Sequence, residues 1–263
     1  MSRSDDENYH GLVAESYDLF RGDDPIEQEQ WFQFYKRRLK ERPGLALEVG
    51  CGTGRVLLPF LKDGFPMEGV DSSSEMLAIC RQKAINMGLE PVLYEQYMQE
   101  LVLQKKYCTI LIPLGSFILI GHHSEAVEAL RRFHDCLSNG GQLVFSTPAP
   151  SSEIYSDSSN EAGTWSEPAT VTRDADGAIF TLQSKGSSDS LEQVHRSLQR
   201  YEMRRAGKLI RAEEHMSVTR WYGMYELRLM LELAGFRGFK VYGDHTDEEA
   251  TARSSSRVYW AEK

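Results

Sequence analysis

The chain has 263 residues, of which 41% are hydrophobic, enough to form one large domain or one domain with an insertion. Its formal net charge of −9 at pH 7 argues against non-specific binding to nucleic acid, which needs a basic surface. Four cysteines lie far apart, with no C-x-x-C pair that would indicate a zinc site or a disulfide framework: Cys51, Cys80, Cys108 and Cys136. The first eight residues are polar, and the longest apolar stretch is too short to span a membrane. We therefore expect a cytoplasmic protein that binds no metal, membrane or nucleic acid.

The first predicted elements are helical segments within residues 12–40 and a strand that leads into a glycine-rich turn. The apolar run at 45–49 predicts a buried strand, and residues 55–61 turn helical again. Between them stand three glycines at alternate positions: Gly50, Gly52 and Gly54. Glycines let a backbone come close to a ligand, and the start of a helix offers unpaired N–H groups. The segment therefore predicts a nucleotide-binding corner.

The spacing of these glycines excludes two common phosphate-binding patterns. The dinucleotide pattern G-x-G-x-x-G needs a third glycine at 55 or 57, where Arg55 and Leu57 stand, and no Walker sequence is present. The pattern is instead E-x-G-x-G-x-G, starting at Glu48. The next apolar run ends in Asp71, a carboxylate at the end of a second strand, where it can bind both hydroxyls of a ribose.

The remainder of the first 150 residues alternates between strands and helices. Helices are predicted at 54–63, 73–87 and 124–137, and strands at 66–70, 91–95, 107–113 and 142–147. Such alternation requires a parallel sheet with helices on both faces. We therefore predict an α/β fold for this part of the chain.

The pattern changes after residue 150. A polar loop is predicted at 150–163, and four strand-like runs then form two hairpins: 169–173, 178–184, 194–203 and 209–220. A helix at 224–234 and strands at 239–242 and 257–261 complete the prediction. We expect residues 1–150 and 221–263 to form one domain and residues 151–220 an inserted antiparallel subdomain. We interpret the insertion as a substrate lid; a dimerisation surface is the alternative, and one sheet could serve both purposes.

Five of these residues resemble the binding motif of the class I S-adenosylmethionine (SAM) methyltransferases: Glu48, Gly50, Gly52, Gly54 and Asp71. The resemblance covers roughly residues 40–150. It implies a Rossmann-like, mostly parallel seven-stranded sheet of order 3-2-1-4-5-7-6, with helices on both faces and an antiparallel β insertion after strand 5. It also implies SAM as the cofactor, bound by residues at the strand ends: Glu48, Gly50, Cys51, Gly52, Thr53, Gly54, Asp71, Ser72, Met76, Tyr97, Met98, Pro113 and Leu114.

Some of these assignments keep an alternative. Glu48 would hold the loop or a water near the ligand amine, and a plain capping role is equally consistent with its position. Met76 would flank the adenine or simply belong to the core. Tyr97 stands where the family usually carries an acid, so the departure puts the adenine contact in question while Met98 can still offer its backbone N–H.

Residues 9–21 resemble the N-terminal segment of small-molecule methyltransferases, including sugar N-methyltransferases. This resemblance implies that Tyr9 and Tyr17 contact the methionine part of SAM, with Arg21 as a further possibility; helix packing is the alternative for Tyr17. The catalytic residue is not fixed by the sequence. The candidates are Tyr17, His122, His123 and Tyr222, although two adjacent histidines on a loop are often only solvated.

Methyl transfer mainly requires alignment of the reacting atoms, and a base is needed only when the nucleophile arrives protonated. This requirement agrees with the absence of any recognisable triad or metal motif. We predict a SAM-dependent methyltransferase that acts on a small-molecule acceptor by in-line displacement, as a monomer or homodimer. The alternatives are a protein or RNA methyltransferase on the same fold and a SAM-binding protein without turnover.

Overall fold

A computed structural model describes residues 9–22, 26–149 and 163–263. The predicted N-terminal polar stretch and the predicted loop after residue 149, up to residue 162, lie outside these residues. The described residues divide into two compact units. The larger unit contains residues 26–149 and 220–263, and the smaller unit contains residues 9–22 and 163–219.

The described elements follow the predicted order. The strands are β1 (Ala46–Val49), β2 (Met67–Asp71), β3 (Leu93–Glu95), β4 (Tyr107–Ile112), β5 (Leu137–Pro148), β6 (Ala169–Arg173), β7 (Ala178–Asp189), β8 (Val194–Arg205), β9 (Lys208–Arg220), β10 (Arg237–Gly243) and β11 (Ser256–Glu262). The α-helices are α1 (Gly11–Arg21), α2 (Gln30–Glu41), α3 (Leu57–Lys62), α4 (Ser74–Asn86), α5 (His123–Cys136) and α6 (Met224–Leu233). No helix in the described part of the chain is long and apolar enough to cross a membrane.

The larger unit is built on a seven-stranded sheet. Its strand order is β10-β11-β5-β4-β1-β2-β3. Strands β1 to β5 pair in parallel, whereas β11 pairs antiparallel with both β5 and β10. With β10 and β11 as its sixth and seventh strands, this sheet confirms the predicted order 3-2-1-4-5-7-6.

Both faces of this sheet are covered by helices, because side chains alternate between faces along each strand. In β4, Ile110 and Ile112 join the apolar cluster that includes α5 and α6, while Leu111 joins the cluster that includes α2, α3 and α4. Consecutive apolar residues in a strand buried on both sides are typical of parallel sheets. The carboxyl ends of β1, β2, β3 and β4 therefore meet at one edge between two cores.

Two helix boundaries differ from prediction for local reasons. The predicted helical region at 12–40 consists of α1 and α2, since α1 ends before Gly22, whose φ of 75° is left-handed. Helix α3 begins at Leu57 rather than near residue 54, because the glycine turn continues to residue 56. Helix α4 begins where predicted: the Ser73 side chain caps it by accepting the Met76 N–H at 3.1 Å.

The smaller unit is a four-stranded antiparallel sheet of order β6-β7-β8-β9, onto which α1 packs. The α1 residues Leu12 and Val13 share an apolar cluster with side chains of the sheet: Ala178, Phe180, Tyr201 and Met203. Residues 9–22 thus group with the insertion, whereas we predicted one domain from residue 1 to 150. The strands alone could not indicate this, because the partner of an amphipathic helix face is a long-range contact.

Candidate functional site

The glycine loop after β1 is fixed to the end of β2 by backbone hydrogen bonds. Gly50 N–H and Cys51 N–H both donate to Val70 O, at 2.8 and 3.0 Å. Gly52 N–H donates to the Asp71 carboxylate at 2.8 Å. Since Gly50, Gly52 and Gly54 have φ values of 74°, 51° and 80°, side chains there would strain the turn.

The three glycines differ in what surrounds them. A Cβ at Gly54 would lie 2.6 Å from the Cys80 Sγ atom, so this glycine permits close packing inside the unit. A Cβ at Gly50 would lie 2.8 Å from Ser116 Cβ, so this glycine lets the loop approach the segment after β4. A Cβ at Gly52 would meet only the Met76 methyl, at 3.2 Å. Gly52 therefore has the most open surroundings of the three.

Asp71 lies at the end of β2 and organises the corner. Its Oδ2 accepts the Gly52 N–H, and its Oδ1 accepts the Ser73 N–H at 2.9 Å. Burial raises the pKa of Asp71, while the backbone N–H groups of Ser73, Gly52 and Ser72 act to lower it. Each carboxylate oxygen has two lone pairs, so both retain the capacity to accept a hydroxyl from a ligand.

Glu48 brings a second carboxyl group to the same corner. Its side chain is 2% exposed, and its Oε2 atom has no hydrogen-bond partner within the described residues. Burial, and then the neighbouring Asp71 carboxylate, raise the pKa of Glu48 well above its ordinary value. A buried acceptor beside a second carboxylate favours a ligand that brings hydrogen-bond donors or positive charge.

The other predicted cofactor residues follow the ends of four neighbouring strands, β1 to β4. Met98 comes close to Gly50, since a Cβ added at Gly50 would lie 3.4 Å from Met98 Cε. Tyr97 directly precedes Met98. Leu114 is 45% exposed and has a left-handed φ of 57°. The remaining ones differ in exposure: Cys51, Thr53, Met76 and Pro113 are buried, and Ser72 is exposed.

Ser116 is a neighbour of the loop that our sequence analysis did not include. Its side chain faces Gly50 from the segment that follows β4. The available signal was its position four residues after the end of a parallel strand, where ligands bind in such sheets.

The structure separates the catalytic candidates of the larger unit. Tyr222 is 2% exposed and its hydroxyl donates to Ile120 O at 3.3 Å, and burial raises its pKa, so its placement favours packing over proton transfer. His123 Nε2 lies 2.6 Å from Glu226 Oε1, and the other oxygen of Glu226 accepts the Gly223 N–H at 2.9 Å. The His123 ring is thus oriented by a carboxylate, although it is itself exposed, and His122 is exposed just before the start of α5.

Tyr9 and Tyr17 belong to the smaller unit, where they line a cavity of about 360 Å³. Their ring centroids are 5.7 Å apart with edge-to-face geometry. Helix α1 and strands β7, β8 and β9 provide the other walls: Val13, Ser16, Phe20, Arg21, Leu182, Gln199, Tyr201, His215 and Ser217. The predicted contact of the two tyrosines with the methionine part of SAM stays a prediction.

Comparison with known proteins decides the family. The model of a family described as "Methyltransferase domain" matches residues 25–241, most of the chain. The chain belongs to this family. It is a class I SAM-dependent methyltransferase, as the strand ends predicted.

The methyltransferase has relatives along its whole length and over part of it. "Putative methyltransferase" of Geobacillus sp. (strain WCH70) is 27% identical over 254 residues, 94% of this chain and 96% of the relative. The dTDP-3-amino-3,6-dideoxy-alpha-D-glucopyranose N,N-dimethyltransferase of Streptomyces fradiae is 30% identical over 130 residues, 48% of this chain and 49% of that protein. A SAM-dependent methyltransferase from Clostridium acetobutylicum ATCC 824 has the same fold, with a TM-score of 0.75, 17% identity and coverage of 95% of this chain and 97% of that chain.

The corner residues of the methyltransferase fit SAM. The orphaned Glu48 oxygen suits a ligand with ammonium or hydroxyl donors, and SAM carries both together with a positive sulfonium. The open surroundings of Gly52 leave room for a ligand against the backbone. Two carboxyl groups whose pKa values are raised gain from a cationic partner, which favours their charged forms.

Proposed function

We propose that this methyltransferase transfers the SAM methyl group to a nitrogen atom of a small-molecule acceptor. The cavity of about 360 Å³ in the smaller unit carries the proposal, because it falls in the size range of small-molecule sites. The partial likeness to an amino-sugar N,N-dimethyltransferase supports nitrogen as the methylated atom. The negative net charge supports a small molecule over RNA.

Different residues of the chain would bind the cofactor and accept the proton. Asp71 would accept hydrogen bonds from the ribose hydroxyls, and Glu48 would face the hydrogen-bond donors of the bound cofactor. The loop around Gly52 would bring its own backbone close to the cofactor. When bound, SAM supplies a methyl group that is already activated by a positive sulfur and is displaced in line. His123, oriented by Glu226, is our choice for the group that accepts the proton lost by the acceptor nitrogen.

Release of S-adenosylhomocysteine tests this proposal directly. The acceptor panel holds amino sugars and small amines, each with a matched compound in which a hydroxyl replaces the amine, together with peptides and RNA. We expect turnover with a small amine and none with its hydroxyl counterpart. Turnover with only peptides or only RNA would refute the proposal, and so would exclusive turnover of the hydroxyl compounds.

A further inference from the structure

The cavity of the smaller unit carries a positive charge that the proposed function leaves unexplained. We propose that this cavity binds the acceptor by two features: Arg21 holds an anionic group, carboxylate or phosphate, and the aromatic side chains hold an adjacent ring. This inference rests on the proposed function, in that the acceptor is taken to be a small molecule. It adds the chemical class of that molecule, an anionic compound that carries a ring.

Aromatic side chains form the walls of the cavity. Phe20 and Tyr201 meet edge to face with their ring centroids 6.4 Å apart, and Tyr201 contacts the His215 ring at 5.9 Å. The Tyr201 hydroxyl donates to Gln199 Oε1 at 3.3 Å, which holds the ring in place. Aromatic residues supply flat apolar surface together with polar tips, so such walls suit a ring with polar substituents.

Arg21 stands at the last position of α1 and brings a permanent charge to this site. Its Cζ atom lies 5.5 Å from the centroid of the Tyr17 ring. Burial raises the pKa of Tyr201 while the positive charge of Arg21 acts to lower it, so the guanidinium is close enough to act on that phenol. No aspartate or glutamate is among the described residues that line the cavity.

Five of the six other arginines that the structure describes in the smaller unit have carboxylate partners; Arg196, exposed on β8, has none in the described part of the chain. Ion pairs within the unit engage Arg173, Arg200, Arg204, Arg205 and Arg211. Arg21 has no carboxylate within ion-pair distance in the part of the chain that the structure describes. A cation at the end of a helix is favoured by the helix dipole, but the dipole does not explain why the cation lines a cavity. A guanidinium that has no carboxylate partner among the described residues suits an anion from outside, which it can bind in a bidentate manner.

The residues that line the cavity all belong to one unit. Ten of the eleven lining residues lie in α1 or in strands β7 to β9, Tyr9 stands two residues before α1, and none belongs to the unit that carries the glycine loop. The carboxyl groups fitted to the cofactor, Glu48 and Asp71, belong to that other unit. We assign the anion to the acceptor, and the effect of Arg21→Gln on SAM affinity distinguishes this ligand from the carboxylate of SAM.

Isothermal titration of the full chain at saturating SAM tests the inference. The probes are phenyl phosphate and benzoate, with phenol as the neutral ring. The variant is Arg21→Gln, and Arg196→Gln is the matched control: it removes an exposed arginine of β8 whose odd spacing from Tyr201 puts it on the opposite face. We expect an anionic probe to bind the parent at least about tenfold more tightly than phenol, since hydrogen bonds to charged groups are strong.

The variants separate the possible outcomes. We expect Arg21→Gln to abolish the preference for the anion and Arg196→Gln to retain it. Equal binding of anion and phenol by the parent, or an unchanged preference in Arg21→Gln, would overturn the inference. A loss of SAM affinity in Arg21→Gln as large as its loss of anion affinity would place Arg21 at the cofactor and would also overturn the inference. Arg21-dependent anion binding without turnover of any small amine would refute the proposed function while confirming the anion site.

Discussion

Substitution of Gly52 by alanine separates the ligand-binding role of the glycine loop from its folding role. The new Cβ would contact only the end of the flexible Met76 side chain, at 3.2 Å, so the fold can accommodate it. The left-handed φ of 51° costs a non-glycine residue about 1–2 kcal/mol of folding stability. We therefore expect a folded, modestly destabilised protein.

In Gly52→Ala we also expect a loss of SAM affinity, which has a cause separate from the loss of folding stability. A methyl group forced into a fitted contact costs about 1–3 kcal/mol, or roughly 5- to 150-fold in affinity. The matched control is Gly64→Ala, since Gly64 has a φ of 83° and a Cβ added there would meet nothing within 4 Å. Gly64→Ala imposes a similar left-handed backbone strain in the turn after α3 and leaves the glycine loop unchanged. A third variant, Gly54→Ala, would place its methyl 2.6 Å from Cys80 Sγ and should be the least stable of the three.

Urea unfolding and isothermal titration with SAM measure the two effects separately. Gly52→Ala and Gly64→Ala should lose similar stability, and only Gly52→Ala should lose SAM affinity. Unchanged SAM affinity in folded Gly52→Ala would show that the ligand does not approach this glycine, and the site would have to be reassigned.

Three further predictions concern stability, the acceptor and the proton. Burial acts to raise the pKa of Glu68, but hydrogen bonds from a lysine and two tyrosines hold that pKa below its ordinary value. The stability that ionised Glu68 contributes is therefore present above pH 4.5 and is lost as the pH falls through the lowered pKa. Glu68→Gln should cost about 1–3 kcal/mol of unfolding free energy in urea at pH 7 and progressively less in acid, and a difference that stays constant with pH would contradict this. Replacement of residues 151–220 by a short loop should leave SAM affinity within about threefold of the parent while acceptor turnover collapses. Because α1 packs on this segment, a variant that also lacks residues 1–24 is the control. Loss of SAM affinity with turnover per bound cofactor preserved would contradict the assignment of this segment to the acceptor. His123→Gln should lower turnover of a protonated amine about 100-fold, whereas His122→Gln should change that turnover less than about threefold. Equal effects of the two substitutions would remove His123 from the mechanism.

Most of the larger unit could be predicted from the sequence because its signals are local. The strand before Gly50, the cap at Ser73 and the acid at Asp71 each depend on a few neighbouring residues, and the family resemblance supplied the strand order. The hairpin turns of the smaller unit were equally local: β6 has its predicted bounds, and β7 and β8 only run further than predicted.

What the sequence could not indicate depends on contacts between distant residues. The packing of α1 on the inserted sheet joins residues about 170 positions apart, such as Leu12 and Phe180. The orphaned oxygen of Glu48 and the burial of Tyr222 are likewise consequences of packing, and no nearby sequence pattern reports them. The sequence offers Arg21 only as a further candidate for contact with SAM, because the absence of a carboxylate partner among the described residues emerges from the structure.

The ribose contact of Asp71 tests the central claim, that the glycine corner binds SAM, most directly. The measurement is the affinity ratio, by isothermal titration, between S-adenosylhomocysteine and its 2′,3′-dideoxy analogue in the parent and in Asp71→Ala. Because Asp71 also anchors Gly52 and Ser73, the ratio cancels any general damage to the loop. Hydrogen bonds to a charged acceptor contribute about 1.5–3 kcal/mol, so the parent should prefer the hydroxyl-bearing ligand by roughly 10- to 150-fold, and Asp71→Ala should lose that preference. A folded variant that discriminates between the two ligands as strongly as the parent would contradict the account.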